Sequence, residues 1–139
     1  MLTKVQIDIN QLKSNSKLDK VWIVGHNVIS SDMLVLYSQC KRESVDYGKY
    51  LQSLGVEGII DTLKIARLLP GSSEGVGLSY LYKKYTGSEF ADAHDALADA
   101  KATAKLLSKL LQIKDAAVDV YSLDSVVEHL EHLEHLEHI

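Results

Sequence analysis

The sequence predicts an α/β domain with helices packed over a mixed β-sheet, on three observations. Short apolar runs rich in β-branched residues alternate with segments of helical periodicity. With 139 residues, 46% of them hydrophobic, the chain can bury one ordinary core. No boundary interrupts the alternation before residue 113, so residues 1–113 read as one domain and 114–139 as a C-terminal extension.

Taken in order, Lys4 to Asn10 alternates apolar Val5, Ile7 and Ile9 with polar neighbours, which fits a short strand or the lead-in to a helix. Val21 to Val24, closed by Gly25, is a compact apolar run that fits a strand buried on both faces. From Asp32 onward, Met33, Leu36, Tyr37 and Cys40 recur at spacings of three and four, and Lys41 and Arg42 suit the C-terminal end of that helix. Gly58-Ile59-Ile60 supplies another strand. Asp61 is a good N-cap for a helix over 62–69, stopped by the only proline, Pro70.

Residues 71–77 form a flexible loop, and Leu78, Leu81, Tyr82 and Tyr85 mark one face of a short helix that ends at Gly87. A long helix is expected from about Asp95 to Leu111, with Leu97, Ala100, Ala104, Leu107 and Leu111 as its apolar stripe. The extension repeats Glu-His-Leu from Glu128. Ser125 with Glu128 matches a capping box, but apolar residues at every third position drift by about 60° per repeat and leave no clean stripe. That segment reads as a solvated appendage, an assembly helix or an artificial tail, whose imidazoles could also bind a transition metal.

Composition narrows the function. A formal net charge of −4 opposes generic binding of polyanions, so nucleic acid would be met through a local basic patch or a bound metal. The single cysteine, Cys40, excludes an internal disulfide and favours a reducing compartment. No apolar run is long enough to cross a bilayer and no signal-peptide pattern opens the chain, so the expected location is intracellular and soluble, cytoplasmic or nuclear.

Two stretches carry the chemistry. In Val24-Gly25-His26-Asn27-Val28-Ile29-Ser30-Ser31-Asp32, a strand ends in a tight polar loop and a helix begins. A carboxylate at the rim of a sheet can hold a metal that also touches a substrate phosphate; alternatively, Asp32 only caps its helix. In the second stretch, His94 and Asp99 are five residues apart, about 140° around a helix, so they converge only if His94 lies in the loop before it. The pair would join an imidazole able to take a proton from water to a carboxylate able to hold a divalent ion. The plainer reading is that Asp92, Asp95 and Asp99 enrich a helix N-terminus, where the dipole favours negative charge.

The ordered segments VGHNVISSD, IIDTLKIARLLPG, LSYLYKKYTG and AHDALADAKATAKLL resemble the DnaQ-like DEDDh 3′-5′ exonucleases, a family that includes polymerase proofreading domains and TREX-type nucleases. The similarity spans residues 21–111, and the six-residue step from His26 to Asp32 is closer to the TREX-type spacing. The resemblance implies a ribonuclease H-like fold and removal of nucleotides from the 3′ ends of DNA or RNA, using two Mg2+ or Mn2+ ions held by four carboxylates. It assigns Asp32 to the second motif, Asp99 to the third and His94 to the general base. His26, Asn27, Lys83 and Lys84 are candidate nucleic-acid contacts, with Lys64 and Arg67 as further phosphate partners.

The family's first motif, Asp-x-Glu, has no clear counterpart. Asp8 in Ile7-Asp8-Ile9-Asn10 is the nearest metal-ligand candidate, with an amide at Asn10 where glutamate is expected. Residues 8–20 equally fit the helix that precedes the second motif, and the sheet would then lack its N-terminal strands. Such an exposed edge predicts a homo-oligomer or a partner subunit, and the chain alone would be a weak nuclease or an inactive exonuclease-like module that binds nucleic acid or a protein.

Overall fold

A computed structural model of the chain describes residues 20–90, 95–113 and 120–137. The segment Lys4 to Asn10, with its strand-or-helix reading, lies outside these residues. The described order is β1 (Val21–Gly25), α1 (Asp32–Arg42), α2 (Tyr47–Ser53), β2 (Val56–Asp61), α3 (Thr62–Arg67), a 3-10 turn (Ser72–Glu74), α4 (Leu78–Thr86), α5 (Ala96–Leu110), β3 (Val120–Ser122) and α6 (Leu123–Glu137). The strands form one sheet in the order β1-β2-β3, and β1 and β2 run parallel. Two helices link those two strands, as a parallel crossover requires. The α/β expectation is met. No helix among the described residues is long and apolar enough to cross a membrane.

The chain divides into two compact units. One holds α1, α2 and α6 with residues 21–23 and 56–59; the other holds residues 24–28, α3, α4 and α5.

In the first unit, α1 buries the four residues expected from its periodicity, Met33, Leu36, Tyr37 and Cys40. The Tyr37 and Tyr47 rings meet edge to face at 5.6 Å, and the Tyr47 hydroxyl points at the Met33 sulfur, 3.2 Å away. Asp46 caps α2 by accepting from the Lys49 N–H at 2.9 Å. Burial raises the pKa of the Cys40 thiol, which keeps it protonated and unreactive.

Helix α6 differs from the expected solvated tail. It packs against α2, and Val126 and Leu130 are fully buried. One burial per helical turn is enough to dock a helix. The drifting Glu-His-Leu pattern conceals this, because Val126 and Leu130 are four residues apart and only Leu130 belongs to the repeat.

In the second unit, Ile65, Ala66, Leu69, Leu81, Leu106 and Leu110 form the core. Helix α4 turns at Gly87, whose φ of 77° is the left-handed conformation that closes a helix without a Cβ penalty. Helix α5 starts as expected, with Asp95 as N-cap accepting from the Ala98 N–H at 3.0 Å. Its buried face is not the expected one. Ala102, Thr103, Leu106 and Leu110 point inward, whereas Leu97 and Leu111 are 63% and 53% exposed. Both stripes have helical spacing, and the sequence pattern selects the more continuous one. The tertiary structure selects the one with Thr103, whose hydroxyl donates to the Asp99 carbonyl at 2.7 Å and can therefore be buried.

Strand β1 also departs from expectation. Its exposure alternates, with Trp22 46% and Val24 37% exposed, so it is not buried on both faces. It is an end strand of the described sheet. A run that is apolar at every position carries no period-two signal from which to tell the two faces apart.

The burial of Leu130 generates a stability prediction. Leu130→Ala should lower the unfolding free energy by about 2–5 kcal/mol, the range for truncating a buried leucine. Urea titration followed by circular dichroism measures it, and a loss within the roughly 0.5 kcal/mol typical of surface substitutions would return α6 to a solvated role.

Candidate functional site

The loop that leaves β1 is built around a buried carboxylate. Asp61, at the end of β2, is 1% exposed and caps α3 by accepting from the Leu63 N–H at 3.0 Å. The same oxygen accepts from the Asn27 N–H at 2.8 Å. Asn27 has a φ of 62°, a left-handed conformation that asparagine tolerates better than most residues. The turn before it is tight: a Cβ on Gly25 would lie 2.5 Å from Cβ of Val28.

His26 completes the clamp. Its Nε2 is 2.8 Å from the Val76 carbonyl oxygen, which can only accept, so the neutral ring carries its proton there. Nδ1 then accepts from the Thr62 hydroxyl at 2.8 Å, and the 3.3 Å approach of that hydroxyl to the Gly25 carbonyl is the weaker alternative. Burial holds the imidazole pKa below its ordinary value, against the opposing pull of the Val76 carbonyl and the Asp61 charge. Both ring nitrogens are thus engaged within the protein. Sequence reasoning identified Asp61 as a cap but missed its second bond and the parts played by Thr62 and Val76. The signal available was a polar Asp-Thr pair closing an apolar strand.

The candidate carboxylates have distinct settings. Asp32 is the first residue of α1, exposed, with the Ser31 hydroxyl donating to it at 3.2 Å. The N-cap position belongs to Ser31, and no side chain caps this helix, so Asp32 is not held there as a cap. Asp99 lies in the first turn of α5 and is partly buried. It precedes Leu106 by seven residues, two helical turns, and so shares the packed face with Ala102, Thr103, Leu106 and Leu110. Asp95, the rival carboxylate, is accounted for as the N-cap. His94, Asp92 and Asp8 lie outside the described residues.

The candidate basic contacts are at the surface. Lys83 pairs with Glu89, which raises its pKa, and the Lys84 ammonium sits 5.5 Å from the centre of the Tyr85 ring. Lys64 is partly exposed and Arg67 exposed, both on α3.

The clamp makes stability depend on the protonation of His26. Because its folded-state pKa is lowered, the unfolded chain takes up the proton more readily. The stabilisation is complete above the ordinary value of 6.5 and is lost as the pH falls below it. In urea titrations across this range, the wild-type unfolding free energy should decline more steeply below about pH 6.5 than that of His26→Gln, which keeps a donor and an acceptor but cannot titrate. Parallel declines would show that His26 contributes nothing to the acid sensitivity.

A family model described as an exonuclease, RNase T, matches residues 10–107. No curated protein and no solved structure matches the chain. The matched span begins after Asp8 and includes His26, Asp32, Asp61, His94 and Asp99. The α/β architecture, with its parallel β1–β2 pair, is consistent with a ribonuclease H-like exonuclease fold. On the extent of this match, the chain belongs to the RNase T family of exonucleases.

Proposed function

We propose that the chain is a metal-dependent 3′-5′ exonuclease domain of the DEDDh class, with Asp32 and Asp99 as metal ligands and His94 as general base. Membership of the family implies a nucleic-acid substrate, and exonuclease domains of this kind generally use divalent metals. The observation that carries the reading is the orientation of Asp99. A carboxylate that served only the helix dipole would sit as well on the solvated face, whereas Asp99 is on the packed face of α5.

The donor chemistry fits. Mg2+ and Mn2+ take hard oxygen ligands, and Asp32 and Asp99 supply carboxylates, with Asp8 as a further oxygen donor. Among the described residues no group of three or more His, Cys, Asp or Glu side chains forms a ready cage. When bound, such ions would acidify the attacking water and stabilise charge on the leaving oxygen. His94 would take the proton from that water.

A second reading, an exonuclease-like module that binds nucleic acid or a protein partner without turnover, is favoured by one observation. In Ile7-Asp8-Ile9-Asn10, the nearest counterpart of the first motif, Asn10 stands where glutamate is expected, and if residues 8–20 are instead the preceding helix, both first-motif carboxylates are lacking here. A second copy or partner chain donating the missing carboxylates would reconcile the two.

With Mg2+ or Mn2+, a 5′-labelled oligonucleotide should shorten stepwise from its 3′ end. Asp99→Ala and chelator should reduce this to background, and His94→Ala should slow it about 10²–10⁴-fold, the usual worth of a general base. Absence of shortening with either ion, at concentrations that saturate binding, would leave the non-catalytic reading. Undiminished cleavage by Asp99→Ala would remove Asp99 from the mechanism.

A further inference from the structure

Helix α5 carries a second chemical feature. Lys101, Lys105 and Lys109 are spaced i, i+4, i+8, which places three ammonium groups in one row with a rise of about 6 Å between successive Cα atoms. The row crosses the side of the helix away from the buried stripe, with Lys101 and Lys105 exposed and Lys109, nearest the stripe, partly so. Like charges at i, i+4 repel, and helices usually relieve this with carboxylates three or four positions away. Here those positions hold Leu97, Ala98, Ala102, Leu106, Ala104, Ser108, Gln112 and Ile113, none of them acidic.

Among the described residues, neither Lys101 nor Lys109 has a recorded ion pair. Lys105 lies over the Tyr82 ring, 5.7 Å from its centre, and Phe90 packs on Tyr82 at a ring separation of 5.5 Å. A cation held over a ring loses little further freedom on meeting an anion. In a chain of net charge −4, a cationic row with no carboxylate three or four positions away on its own helix is the local basic feature that a polyanion would need.

We propose that the α5 row of Lys101, Lys105 and Lys109 is a track for the phosphodiester backbone of single-stranded nucleic acid, separate from the residues proposed for catalysis. The inference rests on nucleic acid as the substrate class, but not on turnover. The row contacts phosphates and not base edges, so binding is independent of sequence and sensitive to salt.

The test measures binding of a fluorescent single-stranded oligonucleotide to the full chain by anisotropy, in chelator, so that an absence of catalysis does not affect the result. Replacing all three lysines by glutamine should weaken binding on the order of tenfold at low salt and reduce the slope of log K against log salt by about 2. The triple arginine variant should retain the wild-type slope. Lys101→Gln with Lys105→Gln, both exposed, serves if the triple variant loses its circular dichroism signal. Absence of wild-type binding, an unchanged slope in the glutamine variants, or equal binding of an uncharged methylphosphonate oligonucleotide would each overturn the proposal. Loss of 3′ shortening in Asp99→Ala with oligonucleotide binding intact would separate the track from the catalytic reading.

Discussion

The second unit depends on a buried negative charge that must be satisfied. Carboxylates tolerate burial only when hydrogen-bonded, and Asp61 meets this need with two backbone N–H groups, those of Leu63 and Asn27. One bond starts α3 and the other fixes the turn after β1. That turn can form only because Gly25 has no Cβ to strike Val28 and because Asn27 accepts a left-handed backbone. His26 adds two further ties, to Thr62 and Val76. Five residues, 24–28, are thereby set by partners more than thirty positions away, and the chain leaves this clamp four residues before Asp32.

Helix α5 shows how a single element can serve packing and chemistry at once. Its buried stripe ends in Asp99 at the N-terminal turn, where the helix dipole favours a carboxylate. Across the exposed side of the same helix run Lys101, Lys105 and Lys109. The opposite signs are separated by position on the helix, so the carboxylate proposed for metal and the row proposed for phosphate need not neutralise each other. A net negative chain can accommodate a polyanion in this way, by confining attraction to one helix face.

Much of the fold was legible before any coordinates. The four inward residues of α1, the cap at Asp61, and the stop at Gly87 follow from local periodicity and from side chains that satisfy nearby backbone groups. Of the candidate site, the sequence offered residue types and spacings, Asp32, Asp99 and His94, on which the proposed function is built. Less was legible where two patterns competed: the stripe through Leu97 and Leu111 is as helical as the one through Leu106 and Leu110. The Glu-His-Leu repeat likewise hides a helix docked through Val126 and Leu130.

By itself the sequence determined the alternation of strands and helices, the cap at Asp61 and the exonuclease family of the chain, because each depends on residues within about one helical turn or on an ordered series of motifs. Only the tertiary structure decided which face of α5 is buried, that Asp32 follows the N-cap position without filling it, and that His26 faces inward to Thr62 and Val76. These depend on partners distant in the chain, and the energy of burying one apolar stripe over another is set by the surface it meets, which no local pattern contains.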